Sequence, residues 1–233
     1  MWLQAPNINC THGFSTRHGG VSQSPHNTLN LGGSQDHKEN IVINRKLALE
    51  KLELEPDNLC FLKQVHGAQV RNAFKGQQEG DALVSNKKNL ILAVSIADCY
   101  PILFYDETNK VIGAAHAGWR GTHAKIAANV VQKMLELGAH AKNIRVAIGQ
   151  GISQSNFTVG NEVIEQFETA GFPTECWKGN RINLINCNIF VLKENKIPEN
   201  NIWSMNRCTF ENDFFSHRRD KGETGRMWGI IAM

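Results

Sequence analysis

The stretch Val94–Gly121 reads VSIADCYPILFYDETNKVIGAAHAGWRG, and its interpretation decides how the rest of the 233-residue chain is read. One apolar run ends at Asp98 and Cys99. A second returns to His116, followed by Gly118, Arg120 and Gly121 in a glycine-flanked turn. Apolar strands that end in Cys, Asp, His and Arg point to a site more than to a core, because those groups are costly to bury without partners. The plainer readings stand beside it: cysteine is a common small core residue, and a capped strand can also end in histidine. Pro101 limits ladder bonding and argues for an edge, bulge or kink near Cys99. DETNK, residues 106–110, reads as the turn between two strands.

Working outward toward the N-terminus, residues 82–85 form a short strand opened by Gly80-Asp81, and CFLKQVHGAQV (60–70) is a strand running into a turn at Gly67 with His66 at the bend. Residues 39–54 carry Ile43, Leu47 and Leu54 on one stripe and predict a helix stopped by Pro56. Residues 10–33 are polar and punctuated by glycine. There Arg17 precedes Gly19-Gly20, a pattern in which backbone amides and a guanidinium can meet an anion.

Toward the C-terminus, Thr122 is the expected N-cap of a helix to about Leu137, with Ile126, Val130, Met134 and Leu137 on its apolar stripe and Gly138 as its stop. Arg120 would then precede a helix N-terminus and favour a negatively charged ligand. A strand over 144–148, helices over 160–169 and 186–195, a strand over 202–205 and a final apolar strand follow. Arg218, Arg219 and Arg226 precede that last strand. Nothing divides the chain, so residues 1–233 are expected to form a single mixed α/β domain.

The totals exclude several classes. A net charge of +3 without any Lys/Arg block gives no footprint for nucleic acid. The longest apolar run, 90–97, falls far short of the roughly 20 residues of a membrane helix. The N-terminus has no signal-peptide pattern. Six scattered cysteines without a CxxC pair then read as reduced thiols of a cytoplasmic protein.

His66, Cys99 and His116 are the residues suited to a soft divalent metal. Each sits where an apolar run meets a turn, so one end of a sheet could gather them. Two imidazoles and a thiolate with a fourth position open make a catalytic type of zinc site. Asp98 and Gln64 could orient ligands or accept protons. The same residues also permit Cys99 as a nucleophile with His116 or His66 as its base.

These residues lie in strings that resemble a known family. STRHGGVS, LNLG, LKQVHG, GDALVS, ADCYPILFYD, AHAGWRGT, IGQGIS, FTVGNEV, SHRRD and TGR follow the order of the bacterial YfiH/YlmD family, which is related to the animal laccase-domain protein. The resemblance implies a four-layer α/β/β/α sandwich of mixed sheets, related to a cysteine-hydrolase fold. It also implies a zinc site, copper in some members, on His66, Cys99 and His116. Members are described as polyphenol oxidases and as purine nucleoside phosphorylases that also deaminate adenosine and cleave methylthioadenosine. A part in correcting peptidoglycan precursors is proposed for some relatives. This chain departs from the pattern at GGSQDHKEN, where Asp36 is the nearest counterpart of the family's Gly-Asp pair, and at His217, where SYRRD is usual.

Among these chemistries, phosphorolysis fits the residues best. It needs an anion cradle, expected from Arg17, Arg120 and Arg218 with Gln64, and a way to stabilise an oxocarbenium-like sugar. The substrates would be a purine nucleoside and phosphate. Four-electron reduction of oxygen would need further copper sites, and no HxH pair is present, so phenol oxidation ranks second. A metal- or ligand-binding module without catalysis is the third reading. The sequence leaves the oligomeric state open.

Overall fold

The computed structural model describes residues 1–33 and 36–233. Its regular elements begin with β1 (Trp2–Leu3), β2 (His12–Ser15), α1 (Lys38–Glu50), β3 (Leu59–Lys63), β4 (Val70–Asn72), β5 (Gly76–Glu79) and β6 (Ala82–Ser85). The middle of the chain forms β7 (Ile91–Ile96), β8 (Tyr100–Asp106), β9 (Val111–Ala117), α2 (Trp119–His123), α3 (Ile126–Glu136) and β10 (Ile144–Ile148). Then come α4 (Asn161–Thr169), β11 (Trp177–Lys178), β12 (Arg181–Ile182), α5 (Leu184–Glu194), β13 (Ile202–Ser204) and β14 (Met227–Ala232).

Two six-stranded sheets result, in the orders β1-β2-β14-β7-β3-β5 and β13-β10-β8-β9-β6-β4. Both are mixed: β7, β3 and β5 run parallel in the first, as do β13 with β10 and β6 with β4 in the second, while their other pairs are antiparallel. The chain is therefore a mixed α+β fold. Every residue of β8 and β9 is buried, which explains their unbroken apolar reading: both faces are covered. Ile102, Phe104, Ala115 and Ala117 face a cluster shared with Ile126, Val130 and Met134 of α3 and with Val191 and Leu192 of α5. Leu103, Tyr105, Ile112 and Ala114 pack with Phe14, Leu62, Leu92, Val94 and Ile231 of the first sheet. Burying a side chain such as Phe104 contributes about 2–3 kcal/mol. On the far side of the first sheet, Trp228, Ile230, Ile91 and Ala93 meet Ala48 and Leu49 of α1.

Three local expectations are corrected. First, α1 turns a different face inward. It buries Asn44, Ala48 and Leu49, whereas Ile43 is 45% exposed. Asn44 causes the rotation: its amide donates to Ser22 Oγ (2.8 Å) and to the Asn30 carbonyl (2.9 Å), and accepts from the Val21 amide (2.8 Å).

Second, the helix expected to start at Thr122 is two helices broken at Lys125, whose backbone is left-handed (φ 57°). Thr122 is buried inside α2, and its hydroxyl accepts from Asn188 of α5 (3.0 Å) instead of capping.

Third, Pro101 lies in an internal strand. Its carbonyl accepts from Gly149 (2.9 Å), just past the end of β10, so the donor it lacks faces the point where the ladder runs out.

Among the described residues no helix is long and apolar enough to cross a membrane.

Candidate metal centre and active-site cavity

The strand ends at one edge of the two sheets bring His66, Cys99 and His116 together. Their potential ligand atoms all lie within 4.8 Å of one another. The two imidazoles stand nearly perpendicular, 88° apart in plane, with centroids separated by 4.9 Å. His66 occupies the turn after β3, Cys99 joins β7 to β8, and His116 is the penultimate residue of β9.

Asp81, fully buried just before β6, organises this cluster. Its Oδ1 lies 3.0 Å from His116 Nδ1 and accepts from the His66 amide at 2.9 Å, while its Oδ2 accepts from the Gly67 amide at 2.7 Å. Its carbonyl also accepts from the His116 amide (2.8 Å). One carboxylate therefore engages Nδ1 of His116, leaves Nε2 for a ligand, and holds His66 in a left-handed conformation (φ 59°) that an isolated histidine seldom adopts.

Two glycines make the close packing feasible. A Cβ on Gly118 would stand 2.8 Å from Cys99 Sγ, and one on Gly121 would stand 2.8 Å from the Gly67 carbonyl.

Burial alone would push the His116 imidazole down. The Cys99 sulfur and the hydrogen-bonded Asp81 outweigh it and raise the ring to about 9. A cation bound at the ring would replace that proton. Burial and the neighbouring His116 hold His66 below the usual imidazole value, despite the attraction of Asp81. Burial pushes Asp81 up, but the bonds from His116 and from the Gly67 amide prevail and keep it below the usual carboxylate range.

The three residues open into a cavity of about 550 Å³, which Gln64, Asp98, Arg45, Arg218 and Arg226 also line. Arg45 donates to the Leu31 carbonyl (2.9 Å) and stacks over Phe61 and Trp228, 4.8 and 5.2 Å from their centroids. Arg226 donates to the Thr224 and Gly225 carbonyls, and Arg218 to the Thr158 carbonyl. Among the described residues, none of these three guanidiniums pairs with a carboxylate. The arginine ion pairs belong to Arg207 and Arg219. The cavity is thus cationic and has a soft-metal donor set at its floor.

The same arrangement of sequence and fold recurs in other proteins. The family described as multi-copper polyphenol oxidoreductase laccase matches residues 11–233. The chain belongs to this laccase-like YfiH/YlmD family. A relative from Deinococcus radiodurans named purine nucleoside phosphorylase is 40% identical, covering 99% of this chain and 92% of its own. Purine nucleoside phosphorylase YlmD of Bacillus subtilis is 31% identical over 95% of this chain and 87% of its own. The crystal structure of YlmD from Geobacillus stearothermophilus superposes with a TM-score of 0.93 at 32% identity, covering 99% of this chain and 95% of that one.

In this YfiH/YlmD-family chain the other residues singled out from sequence are placed unevenly. Gln64 lines the cavity, but its amide is committed to Ser95, donating to its carbonyl (2.8 Å) and accepting from its amide (2.7 Å). Asp98, itself at positive φ (95°), is fully engaged: Oδ1 accepts from Thr209 (2.6 Å) and Ser216 (2.7 Å), and Oδ2 from the Arg218 amide (2.6 Å). Arg17 and Arg120 do not line the cavity. Arg17 donates to the Asn27 carbonyl (2.8 Å) and stacks on Phe215. Arg120 is exposed over Trp119, because α2 starts at Trp119, after the N-cap Gly118, and carries Arg120 outward in its first turn. Asp36 ties its loop to α1 by accepting from Ser22, Asn30 and Asn40.

Sequence reasoning missed the roles of Asp81, Arg45 and Arg226. An aspartate after glycine, directly ahead of the apolar run ALVS, was the readable signal for Asp81. Arg45 carried none, since on α1 it looks like any solvent-facing residue.

Proposed function

We propose that this chain is a metal-dependent purine nucleoside phosphorylase, formed by residues 1–233 as one cytoplasmic domain, that converts a purine nucleoside and phosphate to the free base and ribose 1-phosphate. The observation that carries the reading is the meeting, in one cavity, of His66, Cys99 and His116 with the guanidiniums of Arg45, Arg218 and Arg226. Relatives named purine nucleoside phosphorylase support it. The helix, sheet, sheet, helices order of the apolar clusters supports the four-layer sandwich, and a kinship with cysteine-hydrolase folds belongs to the same reading.

Two imidazoles and a thiolate fit zinc, with a fourth position left for a reactant. The ion, held by His66, Cys99 and His116, would supply Lewis acidity. The remaining work falls to the chain. The guanidiniums hold the phosphate dianion by charge-assisted bonds and offset its repulsion as it approaches C1′. As the phosphate oxygen bonds to C1′, the C1′–N9 bond breaks and its electron pair leaves with the purine, which then takes up a proton. Asp81 keeps His116 oriented. Asp98, whose oxygens already accept three hydrogen bonds, is assigned a positioning role through Arg218 in place of the expected proton transfer. Gln64 likewise braces β3 against β7. Phe157 adds apolar surface suited to a purine. Deamination of adenosine would use the same cavity, with water in place of phosphate.

A copper-dependent phenol oxidase is the second reading, favoured by the description of the matching family. Among the described residues, however, His66, Cys99 and His116 are the one cluster of three or more such ligands, whereas four-electron oxygen reduction calls for several coppers. Inosine and adenosine are to be assayed anaerobically with phosphate, with zinc or with copper supplied. Purine release that needs phosphate and disappears in Cys99→Ala supports the phosphorylase. Copper-dependent oxygen uptake with a phenol, without phosphorolysis, replaces it with the oxidase.

A further inference from the structure

Beside the main cavity lies a second chamber of about 430 Å³, sharing Gly32, Gly33, His217 and Arg226 with it. Its own wall adds His26, Lys221 and Thr224, with Glu223 as its one carboxylate among the described residues. His26 is more than nine-tenths buried, and its Nε2 has no hydrogen-bond partner among the described residues. A buried ring nitrogen left unpaired carries a desolvation cost that a ligand can relieve. Arg226 stands between the two spaces, and among the described residues its guanidinium is engaged only through Nη1 to backbone carbonyls. Arg45 lies close by: a Cβ on Gly32 would lie 3.9 Å from its Nη2 and 3.8 Å from Arg226 Cβ. Gly32 thus borders both chambers, close to both arginines.

We infer that this side chamber is a second binding site for a phosphate-type oxyanion, joined to the reaction cavity through Arg226 and lined by His26, His217 and Lys221. Two sources have that chemistry: inorganic phosphate held next to the reaction cavity, and the 5′-phosphate of a nucleotide whose base and sugar occupy the main cavity. The inference rests on the phosphorylase reading for the occupant of the main cavity, but its test does not depend on turnover.

Calorimetric titration of the zinc-loaded protein with inorganic phosphate, adenosine and AMP provides the test, repeated with His26→Gln and with the exposed Lys221→Glu. Circular dichroism melting establishes that each variant is folded. AMP binding at least fivefold tighter than adenosine, with that advantage erased in both variants, assigns the chamber to a nucleotide's 5′-phosphate. Equal affinity for AMP and adenosine, with inorganic phosphate binding weakened at least fivefold in both variants, assigns it to free phosphate. Folded variants that bind phosphate and AMP as the parent protein does overturn the inference, whether or not the enzyme proves to be a phosphorylase.

Discussion

The cavity has two unlike walls. One is carried on strand ends: His66, Cys99 and His116 are held by β3, β7, β8 and β9 and braced by Asp81. The other is carried on segments without regular structure, residues 205–226 and the glycine pair 32–33, which contribute His217, Arg218 and Arg226. The first wall is fixed by ladder hydrogen bonds and close packing. The second has no ladder and is held by side-chain bonds, those converging on Asp98 and those from Arg219 to the Thr209, Glu211 and Phe214 carbonyls among them. The difference suits the chemistry: ligands for a metal need the fixed geometry that strand ends give, whereas the anion-facing guanidiniums are placed by side-chain bonds instead of a ladder.

Experiments can break this contrast, beginning with the largest effect. Cys99→Ala should abolish both bound metal, read by atomic absorption, and phosphate-dependent purine release. Retention of stoichiometric metal would show that the sulfur is not a ligand. Asp81→Asn should lower metal affinity or turnover by about 10–100-fold, because His116 loses its orienting partner. Gly118→Ala forces a methyl against Cys99 Sγ and should cost about 1–3 kcal/mol of stability in denaturant titration, with weakened metal binding.

On the loop-borne wall the expected signature differs. Arg218→Ala should raise KM for phosphate by about tenfold, the scale of one lost charge-assisted bond, while metal content stays at the parent level. If that variant instead loses metal, the two walls are not separable. Arg120→Ala, which changes an exposed side chain outside the cavity, should alter stability by no more than about 0.5 kcal/mol and leave kcat/KM within twofold.

The same division governs what the sequence disclosed. β3, β6, β7, β8, β9, β10 and β14 could be read because apolar runs bounded by glycine, proline and turn residues mark buried strands, and the three metal-type side chains stood at the ends of β3, β7 and β9. The anion wall was harder to read. Arg17 and Arg120 had the better local pattern, glycines nearby and an apparent helix start, yet both stack on neighbouring aromatic rings outside the cavity. Arg45, on a helix whose inward face was misassigned, reaches the cavity only because Asn44 docks into the 22–30 loop. Local pattern records what a residue can do. Which residues face one another across the cavity depends on long-range packing, and for Asn44 on partners 14 to 23 positions away.

The position of β14 has a consequence for how the protein is made. Residues 227–232 lie in the interior of the first sheet, hydrogen-bonded on one side to β2, near the start of the chain, and on the other to β7. Until the ribosome has released them, β2 and β7 lack their shared neighbour, and Trp228 and Ile230 are missing from the apolar layer under α1. The fold therefore cannot close before residues 227–232 have emerged, and a nascent chain halted ahead of them would expose two unpaired strand edges to whatever chaperone or aggregate reaches them first.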